Sequence, residues 1–231
     1  MLRVDSLEVH YGSTHAVRGV SFELAEAGSL ALLGANGAGK SSVLSALSRL
    51  VPSTGQVHLA GEDITRLPAE RVTRAGLIHV PEGRRVFPSL SVHENLLMGL
   101  IARGSRSAEY AIDDVYDLFP PLRPLRRRSG YALSGGEAQM VAVGRGLLGA
   151  PNVMMVDEPS LGLSPLMTET VAEALITVSA RTSLVVVEQN LQVATRICSD
   201  AIVLRAGEVV LRGSSADVLG SEDVVSSYLS A

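Results

Sequence analysis

Lysine, cysteine and aromatic residues are scarce in this 231-residue chain, and each scarcity closes off an explanation. A single cysteine, Cys198, excludes an internal disulfide and any cluster of thiolate metal ligands. The five histidines, His10, His15, His58, His79 and His93, show no ligand spacing, so no histidine metal site is expected. No apolar run approaches the roughly 18–20 residues of a membrane-spanning helix, although hydrophobic content is 46% and mean hydropathy +0.27. The opening Met1-Leu2-Arg3-Val4-Asp5 lacks the apolar segment of a secretory signal, so a cytosolic-side location is expected. A net charge of −4 argues against nucleic acid as the main partner. What remains is a chain long enough for a large α/β core, with its apolar residues in short Val, Leu, Ile and Ala runs.

Of the 20 lysines and arginines, only Lys40 is a lysine. It lies in Gly34-Ala35-Asn36-Gly37-Ala38-Gly39-Lys40-Ser41, which fits G-x-x-x-x-G-K-[ST] between an apolar run (29–33) and a helical pattern at Val43, Leu44, Leu47 and Leu50. Small residues let the backbone wrap a polyphosphate, with N–H groups inward and the positive end of a helix behind them. A compact ammonium suits that pocket where a planar guanidinium does not. Lys40 is expected to reach the β- and γ-phosphates, and the Ser41 hydroxyl to ligate Mg²⁺.

Along the chain, 2–9 reads as a strand with one wet face, Tyr11-Gly12 as a turn, and 20–24 as a second strand. With aromatics at only 3%, Tyr11 is conspicuous, although its spacing alone suggests a half-buried edge residue. Further strands are expected over 55–61 and 77–80, with a short helix over 68–75. The loop 81–88 places Arg84, Arg85, Val86 and Phe87 between two prolines, either as an ordinary solvated loop or as a docking surface. From 91 to 150 the pattern is helical, with a helix over 109–118 and a solvated basic cluster at Arg123, Arg126, Arg127 and Arg128. Within it, Leu133-Ser134-Gly135-Gly136-Glu137 opens a helix, as a plain cap or as a second anion site. The run 153–156 ends in Asp157-Glu158, and carboxylates at a strand's end suggest a site at the sheet edge. Asp157 is expected to hold Mg²⁺ through its water shell and Glu158 to act as general base on the attacking water. The strand 183–187 ends at Glu188-Gln189-Asn190, placing Gln189 near a γ-phosphate. A hairpin turning at Ala206-Gly207 and a helix over 218–229 close the chain.

The order of phosphate loop, Leu133–Glu137 signature and acid-ended strand resembles ATP-binding cassette proteins over essentially the whole chain. The finer likeness is to the shorter ATPase subunit of bacterial branched-chain amino-acid importers, through residues 80–88, 157–163 and 187–190. It implies an α/β P-loop NTPase (RecA-like) core with a mostly parallel sheet and an antiparallel β subdomain, in 1–88 and 151–231. A helical subdomain with the signature occupies 89–150. It also implies that Tyr11 stacks on adenine, Val17 borders the ring, and Asn36, Gly37, Ala38, Gly39, Lys40, Ser41 and Ser42 hold the phosphates. Ser134, Gly135 and Gly136 would close over ATP on a second cassette, identical or paralogous. The remaining implied partners are a transmembrane permease and, indirectly, a substrate-binding protein, at the cytoplasmic face of the membrane. Three positions depart from the general family pattern, the first being Ala138 in place of a usual glutamine. Glu82 stands where a glutamine senses Mg²⁺ and the permease, so it joins Ser41 and Asp157 as an expected metal ligand. Gln189 stands where a histidine contacts the γ-phosphate; it can position but not carry a proton, and slow turnover is expected. A GTPase would need an N-K-x-D motif, which a chain whose only lysine is Lys40 cannot contain. A urea-type importer, or a soluble cassette ATPase, would carry the same motifs.

Overall fold

The computed structural model describes residues 1–107 and 109–220. Ten strands run β1 (Leu2–Tyr11), β2 (Thr14–Leu24), β3 (Ser29–Leu33), β4 (Thr54–Leu59), β5 (Glu62–Asp63), β6 (Leu77–Val80), β7 (Val153–Asp157), β8 (Ser183–Glu188), β9 (Asp200–Arg205) and β10 (Glu208–Ser214). The helices are α1 (Lys40–Leu47), α2 (Ala69–Arg74), α3 (Val92–Leu97), α4 (Gly99–Arg103), α5 (Ile112–Leu118), α6 (Gly135–Leu148), α7 (Pro165–Ser179), α8 (Leu191–Ile197) and α9 (Ser215–Leu219).

One sheet has the order β10-β9-β3-β8-β7-β6 and is parallel apart from the β9–β10 hairpin at its edge. The other is antiparallel, ordered β2-β1-β4-β5. β3, β7 and β8 are buried at every position. Side chains alternate between faces, so each strand feeds two cores. Ala31, Leu33, Met154, Val156, Leu184 and Val186 pack toward α6, α7 and α8. Leu30, Leu32, Val153, Met155, Val185 and Val187 join α1 and the antiparallel sheet.

Alternation in β1 is broken, as its sequence suggests: Val4 and Leu7, three residues apart, both point inward. Ser6 takes φ 48° and forms a bulge there, its N–H donating to Ser21 Oγ at 2.8 Å. The helix expected over 109–118 begins only at Ile112, where the Asp114 carboxylate accepts from Ala111 N–H at 2.7 Å and fixes the start. α8 was not anticipated, though Asn190 is a good cap; its Oδ1 accepts from Gln192 and Val193 N–H. The helix expected over 218–229 lies mostly outside the described residues, α9 ending at Leu219.

Candidate functional site

The parallel strands β3, β7 and β8 end side by side, and the loops leaving them converge on one cleft of about 480 Å³. Its walls include Tyr11, Asn36, Lys40, Ser41, Glu82, Glu158 and Gln189. The loop from β3 to α1 is tight enough to require glycine. A Cβ on Gly39 (φ 101°) would lie 2.5 Å from Ala16 O, and one on Gly34 2.4 Å from Leu204 O. α1 therefore starts with its free N–H groups at the cleft floor, an electrostatically positive end.

Lys40 is buried, its Nζ donating to Gly34 O at 2.7 Å and Ala35 O at 3.2 Å, with Glu158 Oε1 at 3.6 Å. Ser41 Oγ donates to Asp157 Oδ1 at 3.1 Å. Burial pushes the Asp157 carboxyl up to about 6; the Ser41 hydrogen bond opposes this, and the charges of Glu158 and Glu82 add to it. Such a group is short of positive charge, and the oxygen donors of Ser41, Asp157 and Glu82 are of the kind Mg²⁺ takes. Glu158 follows with φ 49°, uncommon for a residue with a side chain, while its N–H donates to Val187 O at 2.9 Å. That turn keeps its carboxylate in the cleft, where Gln189 Nε2 donates to Glu158 Oε1 at 3.2 Å and to Asn36 Oδ1 at 2.6 Å.

Gly37, Ala38, Gly39 and Ser42 also line the cleft, and Tyr11, 47% exposed, stands at its wall. Val17 does not line it: the residue is fully buried against the β1–β2 core, and Ala16 takes the cleft position. Ser134, Gly135 and Gly136 are also elsewhere, at the start of α6. Ser134 caps that helix, its Oγ accepting from Glu137 N–H while Glu137 Oε2 accepts from Ser134 N–H. Ideal Cβ atoms on Gly135 and Gly136 would meet the Arg84 guanidinium at 3.0 Å and the Met167 side chain at 2.6 Å.

Glu188, at the end of β8, is 1% exposed and has a structural role its sequence position does not specify. Its carboxylate accepts from Ser160 N–H at 2.9 Å, Gln189 N–H at 3.1 Å and Asn190 N–H at 3.2 Å, so it locks the segment after Glu158 to the tip of β8. Burial pushes its carboxyl up, against these hydrogen bonds. An acid ending an apolar strand was the available signal, the one used for Asp157.

A family model described as "ABC transporter" matches residues 17–161. The chain belongs to the ABC transporter family. The cassette is 36% identical to the high-affinity branched-chain amino acid transport ATP-binding protein BraG of Pseudomonas aeruginosa, over 99% of both chains. It is 34% identical to a probable branched-chain amino acid transport ATP-binding protein, LivF, of Archaeoglobus fulgidus, over 96% of this chain and 95% of that one. Its fold matches the ADP conformation of MJ1267, an ATP-binding cassette of an ABC transporter, with TM-score 0.86 at 22% identity, covering 100% and 98% of the two chains. The cassette is thus a transporter ATPase that binds nucleotide. Among the described residues, no helix is long and apolar enough to cross a membrane.

Proposed function

We propose that this cassette hydrolyses MgATP to energise an importer of branched-chain amino acids, working at the cytoplasmic face of the membrane through a transmembrane permease. The observation that carries this reading is the convergence of Lys40, Ser41, Glu158 and Gln189 on one cleft, with Asp157 hydrogen-bonded to Ser41, in a chain that matches two branched-chain relatives nearly end to end.

Tyr11 stacks on the adenine ring, with Ala16 and the buried Val17 behind it. Lys40 exchanges its carbonyl partners for the β- and γ-phosphates, which the α1 N–H groups also hold. Ser41 and Asp157, with Glu82 beside them, would hold Mg²⁺, which would supply positive charge against the phosphates. Glu158, released from Lys40, takes a proton from the attacking water. Gln189 orients that carboxylate and the γ-phosphate side of the cleft through Asn36, without carrying a proton. Ser134, Gly135 and Gly136 lie off their own cleft, so they close over ATP held by a second cassette, a copy of this chain or a paralogue.

A groove of about 600 Å³ between α2, α4 and α6 is lined by Leu50, Phe87, Met98 and Ile101. Leu50 is 63% and Ile101 66% exposed, an apolar surface suited to a cytoplasmic helix of the permease. The test is leucine, isoleucine and valine uptake in cells lacking this chain, restored by the wild type and not by Glu158→Gln. Intact branched-chain uptake with lost urea or amide uptake would assign it to the rival importer class.

A further inference from the structure

The β1–β2 hairpin carries, on its outer face beside Tyr11, three side chains that the nucleotide reading does not use. His10 and His15 face each other across the hairpin, where their Cα atoms pair, and Glu8 lies two residues before His10 on the same strand face. The pairing passes from Val9–Val17 to His10–His15, which leaves Ala16 as an extra residue. The two imidazoles stack with centroids 4.0 Å apart at 16°. Both aim Nε2 toward one carboxylate oxygen: Glu8 Oε2 lies 3.9 Å from His10 Nε2 and 3.8 Å from His15 Nε2.

These separations are too long for hydrogen bonds, and His15 Nε2 is shielded from solvent with no hydrogen-bond partner. A nitrogen lone pair, a second nitrogen and a carboxylate oxygen thus share one small space, all three within 4.8 Å of one another. Tetrahedral zinc, with bonds of about 2.0–2.2 Å, holds its ligands about 3.3 Å apart. The two Nε2–Oε2 separations exceed that by about half an ångström, and binding requires the two stacked rings to rotate so that their in-plane lone pairs converge on the ion. Sequence spacing concealed the set, because the hairpin register, not a helix or a short loop, brings His10 to His15.

We propose that Glu8, His10 and His15 form a binding site for a divalent transition metal of the zinc class, with its remaining coordination position open to solvent. The donor set, two imidazole nitrogens and one carboxylate, suits Zn²⁺ or Co²⁺ and excludes a site specific for Mg²⁺ or Ca²⁺. The bound ion clips the two strands together one residue before Tyr11.

The test uses the untagged full chain without nucleotide, titrated with Zn²⁺ by calorimetry and with Co²⁺ by visible absorption. The expected result is one ion bound per chain in the micromolar range or tighter, with the intense visible bands of a four-coordinate Co²⁺ site. His10→Ala and His15→Ala should each weaken it more than roughly tenfold. Glu8→Gln should weaken it less, while His58→Ala and His93→Ala leave it unchanged. Circular dichroism of each variant confirms folding. No stoichiometric uptake by the wild type would overturn the proposal. So would binding that persists in the His10→Ala/His15→Ala double variant and disappears in Asp157→Asn, since that ion would belong to the phosphate-loop cleft.

Discussion

Lys40 and Glu158 neutralise each other across 3.6 Å at side-chain exposures of 5% and 6%, so nucleotide must compete with a buried ion pair to enter. Lys40→Ala removes the only ammonium side chain near the phosphates and should weaken ATP binding roughly tenfold or more, measured with a fluorescent nucleotide analogue. Unchanged affinity would contradict the phosphate contact. His79 offers a separate test through stability. Its ring is partly buried in β6, with Nδ1 3.0 Å from Ser48 Oγ, and desolvation lowers its pKa from 6.5 to about 4. Between those values the unfolded chain binds the proton that the folded one refuses. Stability is therefore retained above about pH 6.5 and lost as the pH falls toward 4, by about 3 kcal/mol at most. Denaturation midpoints across that window should fall less steeply in His79→Gln; equal slopes would rule this source out.

At the scale of elements, the loop between β6 and α3 ties the separate surfaces together. Asn95, fully buried in α3, accepts from Phe87 N–H at 2.7 Å and donates to Phe87 O, Leu90 O and Ser91 O at 3.0–3.1 Å. Arg84 donates to Leu161 O at 3.3 Å, on the segment following Glu158, and the Arg145 guanidinium of α6 lies 5.2 Å over the Phe87 ring. One loop thus touches the groove proposed for the permease, α6 and the segment after Glu158. Asn95→Ala should destabilise the chain by about 2–4 kcal/mol, because it frees several backbone groups at once. Urea denaturation reads this directly, and a loss under about 1 kcal/mol would mean that other contacts hold the loop. The sequence made this segment visible through its charges and its Phe87, but Asn95 looked like an ordinary helix residue. Its importance comes from contacts within a folded loop, which no periodicity reveals. Strand runs such as 153–157 and 183–188 were legible because burial on both faces demands continuous apolar residues. Glu188 showed as an acid at a strand end, but neither its partner Ser160 nor the Glu8-His10-His15 set was legible, since each depends on which segments become neighbours.

For the whole molecule, the informative fact is a separation. The phosphate loop and Glu158 share a cleft, with Asp157 hydrogen-bonded to Ser41, while Ser134, Gly135 and Gly136 begin α6 outside it. Under the proposed function, a single chain carries two incomplete halves of an ATP site, and two chains arranged head to tail would complete both. Substituting Phe87 and Ile101 by Asp should abolish capture of the permease and leave nucleotide binding by the isolated cassette unchanged; retained capture would place the docking surface elsewhere. The most direct test of the shared site is the mass of Glu158→Gln in solution with saturating MgATP, measured by light scattering alone and with a paralogous cassette that co-purifies with it. Loss of the general base should slow hydrolysis on the order of 10²–10⁴-fold and leave ATP trapped, so a stable dimer should form with ATP and dissolve with ADP. A variant that binds ATP yet stays monomeric in both mixtures would contradict the account.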